Sequence, residues 1–380
     1  MSESNPVSVD ITAHLLKLIS VVMTELHPGS AEKTAVHVDS RLDKDLGLDS
    51  LARVELLSRI EQTFDVSLTD SVFAEAETPR DLIRVIAASD KIQTSTVSAL
   101  PDHQGNTESF TDGATPDHTG TLMEVLDWHV QHHPEHPHIR LYHDDNEGEV
   151  LTYRVLAEGA QRIAADLLTR GIQPGQTVAI MLPTGRDYFT SFFGILTAGA
   201  IPVPIYPPAR LNQLEEHLNR HIAILDNCQA AALITIPEAG RVARLLRTQI
   251  QSLNHVITPE DLNPTTAHAS GPIIKPVANT NDIAFLQYTS GSTGSPKGVT
   301  LSHANLLANI KAYGQAIVIQ PNDVCISWLP LYHDMGLIGS WFGSLYFGIP
   351  LVIMSPLSFL ARPQRWLKAI DRYRGTISAG

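Results

Sequence analysis

The apolar positions of this chain change their period along its length. From Ile11 they recur at helical spacing (Ile11, Leu15, Leu16, Leu18, Ile19, Val22), and Pro28-Gly29 closes that helix. A second helical run takes Val54, Leu56, Leu57, Ile60 and Phe64. A third opens at Thr78-Pro79-Arg80-Asp81, with proline near its start, and carries Leu82, Ile83, Val85 and Ile86. The pattern predicts a small all-α domain over residues 9–90. Residues 91–118 hold Thr, Ser, Gln, Gly, Asp and Pro with few large apolar side chains, which predicts a flexible linker. Such a tether gives a small domain a high effective concentration at a neighbouring site.

Over residues 119–380 helical and extended patterns alternate. Met123–Val130 predicts a helix, Val150–Tyr153 an extended segment, and Leu156–Leu168 an amphipathic helix ended by Gly171. Thr177–Leu182 predicts a buried strand, Tyr188–Leu196 a helix, and Ile201–Pro204 a strand that its prolines keep short. Leu214–Leu225 and Val242–Leu253 predict helices around the strand Ala231–Thr235. The alternation points to an α/β fold with parallel strands covered by helices. Two uncharged stretches, Tyr188–Ala209 and Met335–Ala361, are long enough for a membrane span, but Gly and Pro interrupt both. Each predicts a buried helix followed by a buried strand, so no membrane span is expected.

Charge separates the two parts. Residues 1–90 carry sixteen Asp and Glu against eight Lys and Arg, a net −8 of the whole chain's −13. The first domain therefore calls for basic partner surfaces and not nucleic acid. Two cysteines, Cys228 and Cys325, make neither a disulfide framework nor a zinc site, and the N-terminus lacks a secretory pattern. A reducing, cytoplasmic setting fits both features. His129, His132, His133, His136 and His138 cluster around Pro134 and Pro137 without the spacing of a zinc motif, which predicts surface histidines and no metal site.

Candidate chemistry concentrates at Tyr288-Thr289-Ser290-Gly291-Ser292-Thr293-Gly294-Ser295-Pro296-Lys297-Gly298-Val299. This run follows the apolar Ile283-Ala284-Phe285-Leu286 and precedes a helix that begins near Leu301-Ser302-His303. Gly291, Gly294 and Gly298 let the backbone turn its N–H groups toward an anion. Thr289, Ser290, Ser292 and Thr293 supply hydroxyls, and Lys297 supplies a charge. It is not a Walker A loop, because Pro296 precedes and Gly298 follows the lysine. The stretch resembles the signature loop of adenylate-forming enzymes, the superfamily of acyl-CoA synthetases, luciferases and peptide-synthetase adenylation domains. The resemblance implies that the loop holds ATP phosphates while a carboxylate attacks the α-phosphate, giving an acyl-adenylate and pyrophosphate.

A second resemblance covers the N-terminal domain. Asp45-Leu46-Gly47-Leu48-Asp49-Ser50-Leu51 resembles the attachment motif of acyl carrier proteins, which implies a four-helix carrier bundle with 4′-phosphopantetheine on Ser50. A serine at a helix N-terminus is exposed, and the first-turn amides favour a phosphodiester. Read alone, Asp49-Ser50 is an N-cap, which such pairs usually are, and the surrounding Gly47, Leu48 and Leu51 favour the carrier reading. Glu55 and Glu61 on the same helix offer acidic contacts to partners.

Ser327-Trp328-Leu329-Pro330-Leu331-Tyr332-His333-Asp334-Met335-Gly336-Leu337-Ile338-Gly339 is similar to the next adenylate-forming motif, which implies that His333 lines the acyl-adenylate site. With Phe285-Leu286-Gln287-Tyr288 and Phe359-Leu360-Ala361-Arg362-Pro363-Gln364-Arg365-Trp366-Leu367 it looks most like the fatty acyl-AMP ligase branch, whose members pass the acyl group to a carrier protein. The resemblance implies ATP and Mg²⁺ as cofactors and a fatty acid as substrate. It further implies a phosphopantetheinyl transferase and a downstream synthase or acyl-accepting domain as partners. His333 and Lys297 are its catalytic candidates. Acyl-CoA synthetase or amino-acid adenylation remains an alternative, as does a carrier module without adenylation of its own. The family's adenine, ribose and Mg²⁺ segments, its distinguishing insertion and its C-terminal catalytic lysine are expected beyond residue 380. The chain therefore reads as a truncated adenylation domain whose last strand leaves a sheet edge uncovered.

Overall fold

The structure is a computed structural model that describes residues 6–26, 36–48, 50–66, 68, 72, 76–88, 114–142, 148–207, 214–262, 278–289 and 296–379. The chain divides into two compact units, one of Met1–Asn106 with Leu357–Pro363, the other of Thr107–Pro356 with Gln364–Gly380. Most of the expected linker, the Pro28-Gly29 helix stop, Asp49 and the loop from Ser290 to Ser295 lie outside the described residues.

The first unit contains helices α1 (Pro6–Leu26), α2 (Ser50–Phe64) and α3 (Pro79–Ala88) among the described residues. Leu15, Ile19 and Val22 present one helical stripe to Leu56 and Ile60 of α2 and to Leu82 and Ile86 of α3. Leu42, Leu46 and Leu48 from the connecting segment complete this core. Gly47 lies between two buried leucines at φ 66°, and this left-handed turn lets both neighbours point inward. The start of α3 is fixed by Asp81, whose Oδ2 accepts from the Thr78 N–H at 3.0 Å and the Thr78 hydroxyl at 2.8 Å.

The second unit opens with α4 (Leu122–His132), β1 (Pro137–Leu141), β2 (Val150–Thr152) and α5 (Tyr153–Thr169). It continues through β3 (Thr177–Met181), α6 (Arg186–Thr197), β4 (Ile201–Pro204), α7 (Leu214–Asn227), β5 (Ala232–Thr235), α8 (Pro237–Leu246) and β6 (His255–Ile257). Gly171 and Gly199, at φ 86° and 76°, end α5 and α6 in the left-handed conformation that turns each helix into its next strand. A parallel sheet of order β4-β3-β5-β6 results. All five residues of β3 are buried, because helices cover both faces: Val178 and Ile180 face one core, Ala179 and Met181 another.

The rest comprises β7 (Ile283–Thr289), β8 (Lys297–Ser302), α9 (His303–Ala316), β9 (Cys325–Ser327), a π-helix (Met335–Phe342) running into α10 (Gly343–Phe347), β10 (Leu351–Ile353), α11 (Gln364–Tyr373) and β11 (Ile377–Ser378). β9, β10 and β11 join β1 and β2 in a five-stranded sheet of order β11-β9-β10-β1-β2, parallel except for β2, while β7 and β8 form a two-stranded sheet of their own. Both long uncharged stretches resolve into a helix followed by a strand, and among the described residues no helix is long and apolar enough to cross a membrane.

Two expectations need correction. The helix expected near Leu301-Ser302-His303 does start at His303, but Lys297–Val299, expected as the end of the loop, belongs to the strand Lys297–Ser302 that pairs antiparallel with β7. Strand pairing absorbs Gly298, which serves not as a turn residue but as a gap, since a Cβ there would lie 2.9 Å from the Tyr288 ring. Of the five clustered histidines His132 is exposed and His133 and His136 are partly buried, but the other two are not surface residues. His129 and His138 are fully buried, and both stack on the Tyr153 ring, at centroid distances of 4.3 and 4.8 Å. Trp341 Nε1 donates to His138 Nε2 at 3.2 Å, so the neutral ring carries its proton on Nδ1. Pro137 begins β1, which carries His138 into the core.

Candidate active site

The site is built where the β7–β8 hairpin meets the turn that precedes the π-helix. Along β7, Ala284, Phe285 and Gln287 are buried while Thr289 is exposed at the strand's end. Thr289 pairs with Lys297, so these two residues stand on opposite strands at the mouth of the connecting loop. Both are exposed, which leaves the hydroxyl and the ammonium group available to an anion. Ser290, Gly291, Ser292, Thr293 and Gly294 lie outside the described residues.

The neighbouring turn is held by its own backbone. The His333 N–H donates to the Pro330 carbonyl at 3.1 Å, and the Leu337 N–H to the His333 carbonyl at 2.9 Å. Gly336 is required here: a Cβ would lie 2.3 Å from the Pro330 carbonyl oxygen. Two buried side chains add outside support. Tyr188 Oη donates to the Leu331 carbonyl at 2.7 Å, and Gln287 Nε2 donates to the Tyr332 carbonyl at 2.7 Å. His333 itself projects from the turn, 68% exposed, with Nδ1 2.7 Å from Asp334 Oδ1. Asp334 Oδ1 also accepts from the Met335 N–H at 2.7 Å, so the carboxylate both caps the π-helix and faces the imidazole.

The geometry thus brings Thr289, Lys297 and His333 to adjoining pieces of structure. Motif reading found those three but missed Gln287 and Tyr188. Gln287 had a signal: it is a polar residue at an inward position of an apolar strand, two places after Phe285. Burial pushes the thiols of Cys228 and Cys325 up to about 11, so neither cysteine is a ready nucleophile. Among the described residues no group of three or more His, Cys, Asp or Glu could hold a metal ion, and no residue is assigned to Mg²⁺.

In the carrier unit, Ser50 is the first residue of α2, where first-turn amides lack helical partners. Leu46 and Leu48 are anchored in the core just before it. The two acidic candidates already have partners in the unit. Glu55 pairs with Arg59 at 2.6 Å, and Glu61 accepts from the Leu68 N–H at 2.7 Å.

The family model described as AMP-binding enzyme matches residues 126–380. The chain belongs to the AMP-binding enzyme family. A second model, phosphopantetheine attachment site, matches residues 20–86, so a carrier domain precedes the AMP-binding domain. Among curated relatives, the medium-chain-fatty-acid–[acyl-carrier-protein] ligase JamA of Moorena producens is 33% identical over 246 residues, covering 63% of this chain and 40% of that protein. The long-chain-fatty-acid–AMP ligase FadD32 of Mycolicibacterium smegmatis is 36% identical over 220 residues, covering 56% of this chain and 33% of its own length. The chain thus spans well under half of the length of either relative. Among solved structures, the fatty acyl-adenylate ligase of L. pneumophila in complex with acyl adenylate and pyrophosphate matches with a TM-score of 0.61 at 34% identity. It covers 70% of this chain, which covers 45% of it. A McyG adenylation and carrier structure, with a TM-score of 0.62 at 23% identity, shares the fold.

Proposed function

We propose that this AMP-binding enzyme activates a fatty acid with ATP and passes the acyl group to a carrier thiol, feeding lipid, polyketide or lipopeptide synthesis. The observation that carries this reading is the 2.7 Å bond from Gln287 to the Tyr332 carbonyl, which joins the strand entering the glycine-rich loop to the turn bearing His333. A polyphosphate gripped at Thr289 and Lys297 would place its α-phosphorus toward that turn. A carboxylate beside His333 would then stand next to the phosphorus it must attack. Ser290, Gly291, Ser292, Thr293 and Gly294 would add loop amides and hydroxyls to the grip. Mg²⁺ would travel with the phosphates and offset their charge.

The carrier is the second half of the reading. Phosphopantetheine on Ser50, installed by a phosphopantetheinyl transferase, supplies the thiol that receives the acyl group. A downstream synthase or acyl-accepting domain would take the thioester onward. Two buried reduced cysteines support a cytoplasmic setting.

Intact-protein mass spectrometry tests the proposal. The 380-residue chain is pantetheinylated and incubated with Mg-ATP and a panel of fatty acids, with and without coenzyme A. An acyl adduct that disappears in Ser50→Ala supports the reading, and its mass names the acid. A pantetheine adduct that stays unacylated refutes self-loading by this chain. Formation of acyl-CoA instead identifies an acyl-CoA synthetase.

A further inference from the structure

The turn carrying His333 receives two side-chain hydrogen bonds on successive carbonyls, one from each side. Tyr188 reaches the Leu331 carbonyl from α6, and Gln287 reaches the Tyr332 carbonyl from β7, each at 2.7 Å. Both donors are buried, Tyr188 at 1% exposure and Gln287 at 7%. Gln287 is the unexpected one. The neighbouring inward residues Ala284 and Phe285 belong to the apolar core, where leucine or methionine would fill the same volume as glutamine. Its Oε1 is buried and has no hydrogen-bond partner among the described residues. Packing alone therefore disfavours glutamine at this position, since a buried acceptor is left unsatisfied. What glutamine supplies and methionine cannot is the Nε2–H bond to the peptide just before His333.

The placement of that bond is specific. Two residues beyond Gln287, β7 ends at Thr289, which pairs with Lys297 across the loop mouth. One side chain thus links the strand that aims the phosphate grip to the peptide that aims the imidazole. We infer that Gln287 is a positioning residue which sets His333 relative to the phosphate-loop hairpin. It touches neither reacting group and acts through the Tyr332–His333 peptide. The catalytic part of this inference rests on the adenylation reading above, whereas the structural part does not.

The test uses Gln287→Met in the 380-residue chain, alone and combined with His333→Ala. Hydrogen exchange is read first, at the His333 and Leu337 amides that close the turn and at the β3 amides as an internal reference. Loss of the bond should speed exchange in the turn by about tenfold while leaving β3 unchanged. Equal exchange in variant and wild type would overturn the inference. So would acceleration spread evenly over both regions, which marks general destabilisation.

Fatty-acid-dependent ATP–pyrophosphate exchange is read second. Gln287→Met should lower kcat/KM for the acid by about tenfold and leave KM for ATP within about twofold. It should cause no further loss in the His333→Ala background, because a residue that acts through His333 has nothing left to position. Losses that multiply in the double variant would overturn the inference. A wild-type chain that exchanges no pyrophosphate refutes the adenylation reading, and the hydrogen-exchange result then decides the positioning role by itself.

Discussion

The buried histidines make the stability of the AMP-binding domain steeply dependent on pH. Burial pushes His129 down to about 3 and His303 down to about 4, and it holds His138 well below the usual imidazole value. For His129 the backbone at Leu345 and Tyr346 offsets only part of this, and neither ring nitrogen reaches bonding geometry with a partner among the described residues. His303 has a further reason to stay neutral, because its Nδ1 accepts the Leu122 N–H at 3.2 Å at the start of α4. In the unfolded chain each imidazole titrates near pH 6.5, so below that pH the unfolded state binds more protons and stability falls. The loss continues until the pH reaches each lowered native value. At pH 5 it amounts to about 2 kcal/mol for each of His129 and His303, about 4 kcal/mol for the pair, and His138 adds to it in the same direction. That is a large share of the whole stability of a domain, about 5–15 kcal/mol. His136 shifts in the same direction but is only half-buried. Asp117 and Asp261, held low by hydrogen bonds and neighbouring cations, give up their contribution only as the pH falls below their unfolded value near 4 toward the lowered native one, outside this window. Asp187, raised by burial, works in the opposite direction.

The assay is urea unfolding between pH 7 and pH 5, followed by tryptophan fluorescence. All four tryptophans, Trp128, Trp328, Trp341 and Trp366, lie in the second unit, so the signal reports that unit. His129→Phe keeps the stacking on Tyr153 and removes one titrating group. It should cut the pH slope by about 1.4 kcal/mol per pH unit and gain about 2 kcal/mol over wild type at pH 5, beyond any difference at pH 7. A wild-type stability that changes by less than about 1 kcal/mol over this range, or a variant with the wild-type slope, refutes the argument.

Other substitutions test the site and its supports. Lys297→Ala should raise KM for ATP by about tenfold or more, the loss expected for one charge-assisted contact, and unchanged ATP kinetics would remove Lys297 from the grip. Gly336→Ala drives a methyl group into the Pro330 carbonyl and should cost about 1–3 kcal/mol or displace the His333 turn. Equal melting and equal activity would contradict the close approach. Gly47→Ala forces a side chain into the left-handed region between two buried leucines and should destabilise the carrier unit by about 1–2 kcal/mol, read from its helical circular dichroism.

The carrier helices were legible because their core stripes follow one local period: Leu15, Ile19 and Val22 are three to four residues apart, as are Leu82 and Ile86. The parallel sheet was legible for a similar reason, since continuous apolar runs such as Val178–Met181 are what a strand covered on both faces requires. Where local signals misled, a partner distant in sequence was responsible. Lys297–Val299 carries glycine and proline neighbours that suggest a loop, yet β7 supplies the hydrogen bonds that make it a strand. The histidines around Pro134 look like surface residues because histidine is usually at least partly exposed. The burial of His129 and His138 depends on Tyr153 and, for His138, on Trp341, and no local pattern announces these contacts.

Sequence alone thus determined what each segment could carry: Ser50 at a helix start, a hydroxyl- and glycine-rich run ending in Lys297, and His333 in its proline- and glycine-framed turn. Those properties reside in residue type and short spacing. Tertiary structure decided which segments meet. Thr289 faces Lys297 only once β8 pairs with β7, and the His333 turn is fixed only when Tyr188 and Gln287 arrive from 143 and 45 residues away. Hydrogen bonds across such separations form only after the helices and sheets have packed, so their partners leave no periodic trace in the chain.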